Sequence, residues 1–415
     1  MRPLTALFLL AVLAGAATRL WLANRQIAAV TRHRSRVPES FAPAVSPADH
    51  LKAADYAVAR TRLGRIDTLI DALLVLGLTV GGGIDALDRL WVRAVPREPW
   101  HGTLVILSVL LVVALVGLPL SLWSTFKVEA RFGFNRTTPA LFIVDRLKGL
   151  GLGLLIGVPL LLAALELMRY AGSLWWLYVW VLWLCVSLGL TWAYPALIAP
   201  LFNRFSPLSD AALRVRIESL LARCGFASRG VFVVDGSRRS AHGNAYFTGV
   251  GRNKRIVFFD TLMGTLEPGE IEAVLAHELG HFKLHHIRAR LLVSAVLALA
   301  GLALLGWLAG RPWFYAGLGL SGASNHGALL LFMIAAPAFT FFVTPLGASW
   351  SRRHEFAADA FAARHTPAAA LISALVKLYR DNASTLTPDP LHSQFFDSHP
   401  PALARIARLG GLQRE

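Results

Sequence analysis

Charge is scarce in this chain: Asp, Glu, Lys and Arg make up 16% of its 415 residues, against about a quarter in a soluble globular domain. An ordinary water-soluble enzyme of this size is a poor fit from the outset. Negative charge is scarcer still, with 25 Asp and Glu facing 41 Lys and Arg, a formal +16. Cysteine is nearly absent. Cys185 and Cys224 cannot build a disulfide framework, and Cys185 lies inside an apolar run where a packing role suffices. The chain also lacks internal repeats and low-complexity linkers, which excludes a solenoid array.

What fills the chain instead is apolar: 55% hydrophobic residues and a mean hydropathy of +0.53. Seven runs approach membrane length, at 3–18, 66–84, 102–124, 149–168, 173–192, 289–309 and 327–348. An apolar helix of about 20 residues matches the hydrocarbon thickness of a bilayer, and buried soluble helices seldom reach that length repeatedly. The first run is short and shares Arg2 and its small residues with signal peptides, but more membrane-length runs follow, so it reads as a span. The second is weakened by Asp67 and Asp71.

The basic excess orients these spans. Arg25, Arg32, Arg34, Arg36, Lys52, Arg60, Arg62 and Arg65 lie between the first two, and Lys127, Arg131, Arg136, Arg146 and Lys148 between the third and fourth. Positive residues favour the cytoplasmic side, which puts the N-terminus outside and the C-terminus inside. Arg89, Arg93 and Arg97, in the linker at 85–101, run against that rule and are only diluted by Asp85, Asp88 and Glu98. Because the arginines bracket spans and do not form one basic domain, nucleic acid is excluded as a partner.

The expected fold class is a multi-span all-α membrane protein of about seven helices. It comprises a membrane region at 1–192 with five spans, a cytoplasmic region at 193–288, two further spans within 289–348, and a cytoplasmic region at 349–415. A small β-hairpin is expected within 244–262, where NAYFTG and KRIVFF read as extended segments joined by a turn near Gly249–Gly251.

The most informative stretch is GEIEAVLAHELGHFKLHHIRAR, residues 269–290, whose apolar spacing is helical. Within it, His277 and His281 stand four apart, so both imidazoles share one helix face and can share a Zn²⁺ ion. Glu278 beside them can take a proton from water activated by the metal. Five residues of this kind are a weak signal alone, and two histidines do not complete a catalytic zinc site. The segment SRRHEFAADAFAARHTP, 351–367, offers the economical completion. Glu355 can be the third ligand while Asp359, one turn on, accepts the outward N–H of a ligating histidine. His354 and His365 compete without an equally economical pairing. Arg352 or Arg353 can supply positive potential or pair with Asp359, and His285 and His286 read as bystanders near the membrane surface. This chemistry is that of a metallopeptidase, with a membrane transporter or channel carrying a regulatory metal site as the alternative; peptide cleavage versus solute flux separates the two.

HELGH at 277–281, RRHEFAADAFA at 352–362, NAYFTG at 244–249, KRIVFFDTL at 254–262, RFGFN at 131–135, PLFNRFSPL at 200–208 and SHP at 398–400 together resemble the membrane-embedded CAAX prenyl protease type I family. That resemblance spans most of the chain. It implies zinc ligands at His277, His281 and Glu355, a general base at Glu278, and seven spans around a water-filled chamber that the site faces near the cytoplasmic side. It also implies an extra donor at His399 for the tetrahedral intermediate. Eukaryotic members remove the C-terminal tripeptide after a prenylated cysteine. An exposed edge near Asn244 and Ala245 can bind substrate by strand addition, while Arg131 and Asn135 read as architectural. High Ala, Leu and Arg content and a short tail point to a bacterial member in the cell inner membrane. Its substrates would be peptides or membrane-associated proteins, with prenylated tails only one class among them.

Overall fold

The computed structural model describes residues 2–226, 230–248 and 255–412. In chain order the helices of the first half are α1 (Pro3–His33), α2 (Pro47–Leu78), α3 (Gly83–Ala94), α4 (Trp100–Trp123), α5 (Pro139–Tyr170), α6 (Trp175–Ala193), α7 (Ala199–Phe202) and α8 (Ala211–Arg223). Those of the second half are α9 (Asp260–Met263), α10 (Pro268–Lys283), α11 (His286–Ala309), α12 (Pro312–Gly317), α13 (Asn325–Thr340), α14 (Thr344–His365), α15 (Ala368–Asp381), α16 (Pro390–Phe396) and α17 (Ala402–Leu412). Among the described residues, six continuous helical runs are long and apolar enough to cross a bilayer, and a seventh is counted if the bent pair α2 and α3 forms one span.

Their outward faces carry the expected surface. Leu73, Leu155 and Leu346 expose 70%, 72% and 72% of their area, an arrangement that water opposes and hydrocarbon does not. The helices overrun the apolar windows read from the sequence. Hydropathy detects only the lipid-matched stretch, whereas α1 continues as far as Arg32 and His33, and the run through α13 and α14 reaches His365. The second window, 66–84, is corrected most: it bridges the end of α2 and the start of α3, which diverge by 50°.

Between α7 and α9 the described residues form a four-stranded sheet of β1 (Phe205–Pro207), β2 (Val231–Val234), β3 (Ala245–Thr248) and β4 (Arg255–Phe259), ordered β1-β2-β4-β3. β3 and β4 are antiparallel, with Ala245 opposite Phe258, and form the expected hairpin; its turn lies outside the described residues. The sheet is larger than a hairpin because β4 also pairs parallel with β2, which pairs antiparallel with the three-residue β1. A strand that short, ending in proline, has too little alternation to be read from sequence. β3 is left as an edge.

Residues from both polar parts of the chain share one core. Ile217, Leu220, Phe258, Ile271, Leu275 and Leu279 pack with Ala362, Leu371, Leu375 and Leu409. Helix α10 enters this core through Pro268 and a reciprocal capping box between Glu267 and Glu270, which satisfies backbone donors that would otherwise be orphaned at its N-terminus. The buried Glu270 also accepts from Ser373 Oγ at 2.5 Å and Lys377 Nζ at 2.8 Å on α15. Burial opposes its charge, but these donors outweigh it and hold the carboxyl below its ordinary range. The axis of the motif-bearing helix is thereby pinned at one end.

Candidate active site

Gly280, inside HELGH, explains how the two motif helices meet. A Cβ there would lie 3.0 Å from Ala358 Cα and 3.1 Å from Phe361 Cβ, so α10 and α14 approach backbone to backbone. That crossing brings Glu355 against the histidines. His277 Nε2 lies 3.4 Å from Glu355 Oε2, His281 Nε2 lies 3.3 Å from Glu355 Oε1, and the two Nε2 atoms are 3.3 Å apart. One donor atom from each of the three residues lies within 4.8 Å of the others. Glu355 Oε2 is buried without a hydrogen-bond partner among the described residues. Two imidazole nitrogens and a buried carboxylate at these separations fit a tetrahedral zinc site with one position open.

The outer contacts orient the donors. His277 Nδ1 lies 2.9 Å from Asp359 Oδ1, the geometry expected from a carboxylate that fixes the ring tautomer. Burial disfavours charge on His277, but the Asp359 and Glu355 carboxylates outweigh it and raise its pKa to about 9. The pocket therefore favours positive charge at this point. Asp359 is in turn clamped by Arg405 of α17 through two hydrogen bonds, Nε to Oδ2 at 2.8 Å and Nη2 to Oδ1 at 2.6 Å. Arg405 is only 6% exposed and also lies 3.9 Å from Glu355 Oε2.

Arg405 corrects the sequence reading of Arg353. Arg353 is exposed on α14 and makes no contact with Asp359 among the described residues, because it points away from the buried face that carries Glu355 and Asp359. Arg352 does not pair with Asp359 either. Its Nη1 donates to the carbonyls of Ser393, Gln394 and Asp397, tying α14 to the segment that carries His399. His286 is a second correction: it is no bystander but is buried, with Nδ1 3.1 Å from His281 Nδ1 and its ring stacked on His354 at 3.9 Å. Neither Arg405 nor His286 carries a local motif; for Arg405 the sequence signal was two arginines, Arg405 and Arg408, among the apolar residues of PALARIARLGGL, with nothing in the spacing to choose between them.

Glu278 faces a cavity of about 360 Å³ together with His277, Asn244, Ala245, Tyr379, His399 and Arg405. Burial pushes its carboxyl above the ordinary range, and no hydrogen bond engages it among the described residues. His399 Nε2 reaches 3.5 Å from Glu355 Oε1, and its Nδ1 lies 3.0 Å from Ser398 Oγ. Asn244 precedes the β3 edge, and its Oδ1 accepts the Ala245 N–H at 2.8 Å, so that donor is engaged within the chain. Asn382 holds the approach to β3 by accepting from Gly243 N at 3.0 Å. Tyr379, Asn382, Ser384 and His399 also line a larger cavity of about 690 Å³, which extends between α1 and α2 past Arg19, Arg60 and Asp67. RFGFN is architectural: Phe132 and Phe134 pack on Tyr56, and Asn135 bridges to Ser240 near the start of the β3 approach.

A histidine pair and a glutamate converging beside a second glutamate, at the wall of a cavity in a multi-span helical chain, define an integral membrane metallopeptidase. Comparisons with known proteins agree. The family description "CAAX prenyl protease N-terminal, five membrane helices" matches residues 26–204, and "Peptidase family M48" matches residues 207–413. The CAAX prenyl protease 1 homolog of Arabidopsis thaliana is 38% identical, the match covering 72% of this chain and 70% of that protein. The Homo sapiens homolog is 36% identical, with 72% of each chain covered. The crystal structure of S. mikatae Ste24p superposes with a TM-score of 0.88 at 29% identity, covering 99% of both chains. The chain belongs to the CAAX prenyl protease family of M48 peptidases and is an integral membrane zinc metallopeptidase of that type. The transporter or channel alternative finds no support in these matches.

Proposed function

We propose that the chain is an endopeptidase that cleaves peptide or protein substrates at the membrane, with one Zn²⁺ per subunit held by His277, His281 and Glu355. The observation that carries this reading is the convergence of those three donors beside the unpaired Glu278 carboxylate on one cavity wall. The names of the relatives support C-terminal segments bearing a prenylated cysteine as one substrate class. The ion supplies a Lewis acid that polarises the scissile carbonyl and lowers the pKa of water. Glu278 accepts the proton of the attacking water at its carboxylate and returns it to the leaving amine. Asp359, clamped by Arg405, holds the His277 ring in its working tautomer. Chelation of the full-length protein is expected to stop peptide hydrolysis and Zn²⁺ to restore it; hydrolysis that survives complete stripping of metal sinks this reading.

Two further groups act on the substrate, an oxyanion donor and a strand edge, and they separate kinetically. His399 donates to the developing oxyanion, and the β3 edge receives the substrate backbone through the Asn244 side-chain amide and the Ala245 carbonyl, the Ala245 N–H being engaged by Asn244. His399→Ala should lower kcat by roughly 10-fold to 100-fold, below the effect of a buried oxyanion donor because this ring faces chamber water. Asn244→Ala should instead raise KM, since it removes a grip made equally in the ground and transition states. The reverse pattern would exchange or overturn these roles.

The N-terminus is placed outside a bacterial inner membrane, and the metal-bearing region and C-terminus in the cytoplasm, on the support of the basic connections between spans. Impermeant thiol reagent applied to intact cells should label a cysteine introduced in the 85–101 linker and spare one introduced after Leu412. Labelling of the latter alone reverses the orientation.

A further inference from the structure

A second convergence of metal-type donors lies far from the peptidase centre, where α3, the start of α4 and the start of α13 meet. Asp88, His101 and His326 each place one donor atom within 4.8 Å of the others. Both imidazoles aim Nε2 at the same carboxylate oxygen, Asp88 Oδ1, at 3.1 Å from His101 and 2.7 Å from His326. Glu98 Oε1 stands at the opposite nitrogens, 3.4 Å from Nδ1 of each ring. The histidines are buried, 6% and 2% exposed. His326 Nδ1 makes no hydrogen bond among the described residues, which leaves an unpartnered polar atom on an almost fully buried side chain facing Glu98.

The fold brings these groups together at close quarters. A Cβ on Gly102 would stand 2.8 Å from His326 Cβ, so the glycine is what lets α4 and α13 cross near enough for the two rings to meet at 4.9 Å. Asp85, one turn before Asp88, accepts from Ser321 N and Oγ at 3.0 and 2.6 Å and ties α3 to the segment leading into α13. Ile84, Val105 and Ala328 on these helices, with Leu320 in the segment leading into α13, supply a buried apolar shell, while Asp88 and Glu98 keep 31% and 39% of their side chains exposed and leave a path to water.

We infer that Asp88, His101 and His326 form a second site for a divalent transition metal of the zinc class, with the Glu98 carboxylate beside the outward nitrogens of the two imidazoles. Ligands that share an ion at about 2.0–2.2 Å stand about 3 Å apart, and an imidazole pair with a carboxylate is the donor set zinc, cobalt and nickel prefer. A carboxylate on the far nitrogen of each ring is the usual outer partner of a ligating histidine. The two centres sit at opposite ends of one helical run, His326 near its start and Glu355 near its end, separated by roughly 40 Å of helix. The second ion has no place in peptide hydrolysis. It clamps α3, α4 and α13 together at the end of the bundle remote from the peptidase centre.

Metal content of the full-length protein in detergent, dialysed against Zn²⁺ and washed, tests this directly. The wild type should retain about two equivalents, Glu355→Gln about one, and Glu355→Gln combined with His101→Gln and His326→Gln close to none. His101→Gln/His326→Gln alone should keep about one equivalent and its peptidase activity. A wild type holding one equivalent that Glu355→Gln removes overturns the second site, as does a second equivalent that survives loss of both histidines. In that last case, or in the first, the cluster is a hydrogen-bonded imidazole–carboxylate group only. Should the double variant fail to fold, Asp88→Asn and Co²⁺ absorption spectra of the Glu355→Gln protein replace it: nitrogen- and oxygen-ligated Co²⁺ bands that vanish with Asp88→Asn uphold the site, and their absence from the Glu355→Gln protein overturns it. Loss of metal from His326→Gln with none lost from Glu355→Gln would instead fault the proposed peptidase ligands and leave this site standing.

Discussion

Glu278→Gln is expected to bind zinc and substrate normally and to lose peptide hydrolysis by roughly 10²-fold to 10⁴-fold, the range of a positioned general base. The amide keeps the shape of the side chain and its place on the cavity wall beside His277, but it cannot accept the proton of the attacking water. Because that interaction belongs to the transition state, kcat should carry the loss while KM changes little. Burial already pushes the Glu278 carboxyl above its ordinary range, which brings its basicity toward the working pH, where proton transfer is most efficient. The same variant identifies the substrates: peptides trapped by Glu278→Gln and released by the active protein report what enters the cavity beside Glu278. Absence of lipidated C-terminal tails among them removes the prenylated class and leaves the peptidase reading intact. Undiminished hydrolysis by a folded, zinc-loaded Glu278→Gln protein would remove the assignment of the base.

The second large effect is expected at a residue remote in sequence from both motifs. Arg405→Ala strips the buried Asp359 of its two-pronged partner and leaves the carboxylate facing His277 alone. Breaking one side of a buried ion pair costs about 3–5 kcal/mol, because the remaining charge keeps its desolvation penalty. Zinc affinity should fall as well, by about 10-fold to 100-fold, the usual effect of losing an outer partner of a ligating histidine. Arg405→Lys restores the charge but not the planar fork and should fall between the two. Thermal melting of the metal-free protein reads the first effect, and Zn²⁺ competition with a chelator of known affinity reads the second. Wild-type values for both in Arg405→Ala would show that Asp359 is held by His277 without help.

The two motifs and the helix that pins them differ in a way that explains what was legible. In HELGH and EFAAD the spacing of four residues is itself the geometry, since a helix returns to the same face after one turn. His277 and His281 share one face of α10, and Glu355 and Asp359 one face of α14, as their intervals demanded. The same reasoning failed for Arg353, because proximity along α14 does not say which face is buried, and the partner came from α17 instead. His286 failed for a related reason: it begins α11 after the left-handed turn at His285, which carries its ring back toward His281. Within the edge read from sequence as a strand-addition site, the Ala245 N–H is engaged by the side chain one residue earlier.

From its composition and intervals alone, the chain determined that it is a helical membrane protein carrying two histidines and two acidic residues suited to a zinc centre. Those are local properties, set by lipid thickness and by the pitch of a helix. Tertiary structure decided the rest: the crossing at Gly280 that joins the motifs, the Arg405 clamp, the extra strands beside the hairpin, and the cluster of Asp88, His101 and His326. Each of these is a contact between groups distant along the chain, where no period relates one residue to the other and only the packing of whole elements brings them within reach.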